Sequence, residues 1–363
     1  VTNVTEAQLR AFAEHKLTCK YGDTSGPLCA TPRAQTCIND CSGRGRCGDY
    51  GFCFCEAGWY GSDCSLRQDG NNTHLRTNRT RPLIYVYELP PDMNQGVRQL
   101  RHWFAMCSLR TFAPGTNETK PPTRDPLYAS EWALHEALLN SEHRTDNPEV
   151  ADWFYIPAYV GCEHMRGGDA PMNPTGRKGI RTAVVTSLAR RAWEFVSRSH
   201  PYWNRSGGRD HIFLFPHDEG GCAAPPEVAN ATLLTHWGNR AREPWSTSAY
   251  VGDRWDVLGP RSSPCFVRGK DVVLPPWRAA SQSLWSKSGP LNPEGGGIPP
   301  ERRDLAFFYF AGNLGRAEGG RKEAVYSLGI RQELARLHKG KAEGFVILPH
   351  SQTYHVDLRR ATF

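Results

Sequence analysis

HIFLFPHDEGGC, residues 211–222, decides the fold. Apart from His211 its first part is a short apolar and aromatic run, too short for an ordinary helix and built from residue types that favour strands, and Pro216 ends it. Runs of the same kind recur along the chain: LIYVYEL (83–89), DWFYIPAYV (152–160), DVVLP (271–275), LAFFYFAG (305–312) and GFVILP (344–349). Between them lie stretches with helical spacing. These are LYASEWALHEALLNS (127–141), where Leu127, Trp132, Leu134 and Leu138 are so spaced, IRTAVVTSLARRAWEFVSRS (180–199) and EAVYSLGIRQELARL (323–337). Strands that are continuously apolar are covered on both faces, and their alternation with helices makes the sheet parallel. The expected fold class is α/β, a Rossmann-like, doubly wound parallel sheet.

Open sheets of this kind bind ligands beyond the carboxyl ends of their strands. His217, Asp218 and Glu219 stand at such an end, just before Gly220 and Gly221, and are the candidate catalytic residues. Two readings of them stand side by side: acid–base chemistry, or hydrogen bonds that fix the turn while Cys222 anchors it through a disulfide. Glu88, and Glu163 with His164, occupy equivalent ends after other strands and are expected to be structural or substrate-contacting. Gly312 and Asn313, with Gly315 behind them, form a glycine-rich turn that could admit a ligand but does not match G-x-G-x-x-G. Trp153, Trp193, Trp237 and Trp277 could stack on sugars, though core packing is the commoner use of tryptophan. Hydrolase, zinc-protease and P-loop signatures are absent.

Five of these strand ends, taken in order, resemble the exostosin family of glycosyltransferases, in its plant-type branch. They are RPLIYVYELP, ADWFYIPAY, IFLFPHDEGGC, KDVVLPPW and RRDLAFFYFAGN, and the resemblance covers residues 81–363. It implies a GT-B arrangement of two Rossmann-like halves facing a cleft, with 82–363 as the acceptor-side half and the donor half beginning beyond residue 363, so that this length of chain alone would be inactive. It also implies an inverting enzyme that uses a nucleotide sugar and a glycan or glycoprotein acceptor, with Asp218 as base and His217 orienting it. The sequence has no Asp-x-Asp pair to hold a diphosphate-bound metal, so no metal and no other cofactor is expected.

The 12 cysteines are unevenly placed, eight of them between Cys19 and Cys64. Such a cluster reads as a disulfide framework, and disulfides persist in oxidising compartments. Cys37, Cys41, Cys47, Cys53, Cys55 and Cys64, around the stretch CSGRGRCGDYGFCFCEAGWYGSDC, resemble an EGF-like module (37–65). Six cysteines allow 15 connectivities; the resemblance implies Cys37–Cys47, Cys41–Cys53 and Cys55–Cys64. Zinc binding would want paired C-x-x-C ligands, which are missing, and TPRAQT before the first cysteine lacks the acidic residues of a calcium-binding module. Residues 1–36 form an extension in which Cys19 and Cys29 are expected to pair, and 66–81 read as a glycosylated linker. Spacing does not decide the pairing of Cys107, Cys162, Cys222 and Cys265; Cys107–Cys162 and Cys222–Cys265 is the preferred assignment.

Six N-x-S/T sequons, at Asn3, Asn71, Asn78, Asn117, Asn204 and Asn230, point to the same compartment as the cysteines. The net charge of +7 is scattered, which suits a solvated surface first and a nucleotide phosphate or acidic polymer second; nucleic acid is not expected. No apolar run approaches the ~18 residues of a membrane span, and the first residues, VTNVTEAQLR, do not form a signal peptide. The expectation is a glycoprotein of the Golgi lumen, type II with a signal-anchor N-terminal to this chain, or else a secreted or cell-surface protein. The module could bind a protein partner. A rival function is a non-catalytic scaffold glycoprotein that keeps the transferase fold.

Overall fold

The computed structural model describes residues 37–47, 53–75, 80–95, 97, 107, 111–112, 119–120, 127–167, 180–217, 219–238, 240, 264–276, 308–312, 330–338 and 345–349. Six strands form one sheet: β1 (Ile84–Val86), β2 (Arg144–Thr145), β3 (Trp153–Tyr155), β4 (His211–Phe215), β5 (Thr232–Thr235) and β6 (Val272–Val273). Every neighbouring pair is parallel, in the order β6-β5-β4-β3-β1-β2. The chain steps from β1 outward to β2, returns to the other side of β1 as β3, and then runs on to β6. That reversal puts a topological switch point between β1 and β3, the place where open α/β sheets take their ligands.

Helices α1 (Ser130–Leu139), α2 (Val160–Gly167), α3 (Ile180–Ser199) and α4 (Tyr202–Ser206) accompany the sheet. In α3, Val185, Leu188, Ala189, Ala192 and Val196 recur every three or four residues, and all are buried in the core that contains Phe213 and Phe215. An aromatic group joins two strands: the Phe154 ring lies 4.9 Å from that of His211, which hydrogen-bonds the Tyr87 hydroxyl at 3.0 Å. Burial pushes the His211 imidazole below its ordinary range, against the opposing pull of Asp210. Trp132 of α1 is fully enclosed in the same core.

Two expected strands lie elsewhere. Phe308–Gly312 (β7) and Phe345–Pro349 (β8) pair in parallel with each other, with helix α5 (Ile330–His338) between them in sequence, and form a sheet separate from the six-stranded one. Their places are taken by β2 and β5, which the apolar runs did not reveal. β2 has only two residues, and β5 (TLLT) is half threonine. The run at 152–160 ends as a strand at Tyr155, and α2 starts at Val160.

The first described residues form the disulfide module. It carries the three pairs that the EGF-like resemblance implies, Cys37–Cys47, Cys41–Cys53 and Cys55–Cys64, and two antiparallel strand pairs. Its interior is little more than cysteine with Trp59 against it, and the Arg44 guanidinium covers the Trp59 ring at 4.0 Å. Residues 66–75 of the stretch expected as a linker are built into the module. Leu66–Arg67 pairs with Trp59–Tyr60, Asn72 accepts from the Arg67 amide at 2.7 Å, and His74 bonds the Ser65 carbonyl at 2.9 Å. Backbone hydrogen bonding orders this stretch although it offers few apolar side chains.

Nor does the module hang on a spacer. Ile38 is fully buried in the large core, the Asn39 amide donates to Glu136 of α1 at 2.6 Å, and Ser62 donates from its amide to Glu88 at 2.7 Å and from its hydroxyl to the same oxygen. Gln95 closes the joint by donating to the Ser62 carbonyl at 2.9 Å. In the sheet domain the bridges are Cys107–Cys162 and Cys222–Cys265, as in the preferred assignment. Cys19, Cys29, Asn3, Asn78 and Asn117 lie outside the described residues. Among the described residues no helix is long and apolar enough to cross a membrane.

Candidate functional site

Helix α2 begins beyond the carboxyl end of β3, and its first amides have no partner within the helix. Glu131 of α1 supplies one. Its carboxylate accepts from Gly161 at 2.6 Å and from Cys162 at 3.1 Å, and is itself fully buried. Burial pushes this carboxyl well above its usual range, with the backbone donors pulling the other way. Gly161 permits the close fit, since a Cβ there would come within 2.7 Å of Pro216 at the end of β4. With its start pinned, α2 holds His164 against the loop that leaves β4.

That loop carries His217 and Glu219. His217 Nδ1 lies 3.3 Å from Glu219 Oε2, and His164 Nε2 lies 3.5 Å from the same oxygen. The two imidazoles are parallel within 10°, with ring centres 5.0 Å apart. All three side chains are at most 1% exposed. The loop itself is clamped to the far edge of the sheet by Cys222–Cys265, and so closely that a Cβ on Gly221 would lie 2.1 Å from the Cys265 carbonyl oxygen. Together these side chains offer two imidazole nitrogens and a carboxylate oxygen, all within 4.8 Å of one another, so they could hold a metal ion. Cys37, Cys41 and Cys53 are similarly close, but their sulfurs are spent in disulfides.

Residues 78–363 match the model of the Exostosin GT47 domain. The chain belongs to the exostosin GT47 family. Among curated relatives of this exostosin chain, a protein of Oryza sativa subsp. japonica named "Probable glucuronosyltransferase GUT1" is 26% identical over 296 residues, covering 77% of this chain and 55% of the relative. A protein of Arabidopsis thaliana named "Probable beta-1,4-xylosyltransferase IRX10" is 26% identical over 291 residues, covering 77% and 56%. The chain thus spans about half the length of the curated relatives it matches. No solved structure matches it.

The residues singled out in this exostosin sequence fare differently. His217 and Glu219 are brought together, but both are enclosed in the protein, so in this conformation neither offers an atom to a substrate. Asp218 between them lies outside the described residues, as does Asn313. Glu88, expected to be structural or to contact substrate, is the acceptor for Ser62 of the module, and its other oxygen faces Gly61. Glu163 is buried beside His164 on α2, and Gly312 ends β7 in the separate two-stranded sheet. Trp193 packs against the core rather than standing free for a sugar. Glu131 was missed altogether. Its one signal was an acidic residue next to Trp132 on the apolar side of a helix.

Proposed function

We propose that this chain is part of an inverting glycosyltransferase that moves a sugar from a nucleotide sugar to a polysaccharide or glycoprotein glycan in the secretory pathway. The observation that carries this reading is the bracketing of Asp218. Both its sequence neighbours are buried and held by His164, by the Cys222–Cys265 bridge and by the tight contact at Gly221, at the carboxyl end of β4, the strand beside β3. Such bracketing is what pre-organises a reacting group. In the proposed step the Asp218 carboxylate takes the proton of the acceptor hydroxyl, whose oxygen attacks the anomeric carbon as the bond to the diphosphate breaks. His217 and Glu219 act as positioning residues.

Charge on the departing diphosphate falls to the donor side, through helix N-termini or basic residues. The parallel pair β7 and β8, with α5 between them in sequence, is how a second Rossmann-like half would begin; on this reading the donor half starts before Phe308 rather than beyond residue 363. The names of the relatives suggest nucleotide-linked glucuronic acid or xylose as the first donors to try. A Golgi-lumen glycoprotein is supported by the five disulfides among the described residues and by the exposed sequon asparagines Asn71, Asn204 and Asn230; a type II anchor would then precede this chain. The test is Asp218→Asn in the full-length protein, assayed for transfer from a panel of nucleotide sugars. Loss of roughly 100-fold or more supports the base, and activity within about threefold of wild type overturns it.

A further inference from the structure

We propose that His164, His217 and Glu219 bind one zinc ion. A tetrahedral zinc with His and carboxylate ligands has bonds of about 2.0–2.2 Å, which places its donor atoms about 3.3–3.5 Å apart. Here the carboxylate oxygen lies 3.3 Å from one imidazole nitrogen and 3.5 Å from the other. Two histidines and one glutamate are also a donor set that suits zinc chemically, the fourth position being open to water.

The surroundings are those of a built site. His164 rides on a helix whose first turn is fixed by Glu131, and the loop bearing the other two ligands is fixed by Cys222–Cys265 and Gly221. Rigid supports of this kind hold ligands at metal geometry before the metal arrives. A dication would also favour the enclosed Glu219 carboxylate in its charged form. The ion would cross-link α2, after β3, to the loop after β4. Being enclosed, it would not meet the donor diphosphate, so the missing Asp-x-Asp pair does not argue against it. It revises the expectation that the chain holds no metal, and it stands or falls without reference to sugar transfer.

Zinc content decides it. The chain, secreted from cells grown with zinc and freed of loose metal by gel filtration, is measured by plasma mass spectrometry; about one zinc per chain is expected. Protein stripped with chelator and reloaded with cobalt(II) should show the intense visible bands of a tetrahedral site. Glu219→Gln and His217→Ala should each weaken cobalt or zinc binding at least about tenfold. The wild-type measurements need no variant to fold. Wild-type protein that carries no zinc and takes up neither zinc nor cobalt overturns the proposal.

Discussion

The disulfide module and the sheet domain solve the same problem by opposite means. The module has almost no apolar interior: its buried cluster is Cys37, Cys41 and Cys64, with Trp59 and other cysteines against it. It is held by three covalent links that act on the unfolded chain by cutting its freedom. The sheet domain buries a continuous core from Val86 to Cys265, in which Trp132, Tyr155, Phe213 and Phe215 are enclosed, and its two bridges staple loops rather than replace that core. The two units meet at a joint of mixed character. Ile38 lends the large core one apolar side chain, while Ser62 and Asn39 give hydrogen bonds to Glu88 and Glu136. A unit too small for a core thus borrows one from its neighbour.

The sheet domain depends most on its core. Trp132→Ala should cost the sheet domain about 3–5 kcal/mol, because removing an enclosed indole loses its transfer energy and leaves a cavity. Denaturant unfolding followed by circular dichroism measures it, and a cost under about 1 kcal/mol would mean that the core is not what holds this domain. The module should respond to the loss of a link instead. Replacing Cys41 and Cys53 together by serine should cost about 2–5 kcal/mol, with faster amide exchange confined to residues 37–67 and unchanged protection in β3 and β4. Equal loss of protection in β4 would show the two units to be one cooperative body.

The smallest effect tests the joint through pH. Burial raises the Glu88 carboxyl, with the Ser62 donors pulling it down less strongly. Since the folded form then takes up a proton more readily than the unfolded chain, the contribution of Glu88 to stability is fully present below the unfolded value near 4.5 and is lost as pH rises through the folded one. Glu88→Gln keeps an acceptor for Ser62 without the charge. Its thermal midpoint should therefore fall less between pH 5 and pH 7.5 than that of the wild type, by an amount worth on the order of 1 kcal/mol or less. Identical pH dependence in the two proteins would remove Glu88 as the titrating group.

How far all this was legible depends on whether a residue's partner is near it in sequence. The apolar runs at 211–216 and 152–160 announced β4 and β3 because strand patterning is local, and the module's outline followed from cysteine spacing. Local signals said nothing of Glu88 meeting Ser62, or of Glu131 meeting Gly161, since each contact is made by the fold and not by neighbours in the chain. For the same reason His217 and Glu219 were visible as a pair, whereas the convergence of His164 upon them was not. The strands at 308–312 and 345–349 are legible as strands, but their separate sheet is not, because an apolar run states that it will pair and not with what.

The order of the bridges along the chain bears on how the protein is made. Both Cys107 and Cys162 are made before Cys222, whose partner Cys265 comes 43 residues further on. At ribosomal speeds of 5–20 residues per second that stretch takes about 2–9 s. If Cys107 and Cys162 have already joined, the waiting thiol finds no free partner behind it in the sheet domain. Within the module Cys37–Cys47 and Cys41–Cys53 interleave, so position along the chain cannot sort them, and their pairing is left to thiol exchange in the folded loop. Vectorial synthesis would then favour the native bridges of the sheet domain, whereas those of the module would depend on thiol exchange in the compartment that receives it.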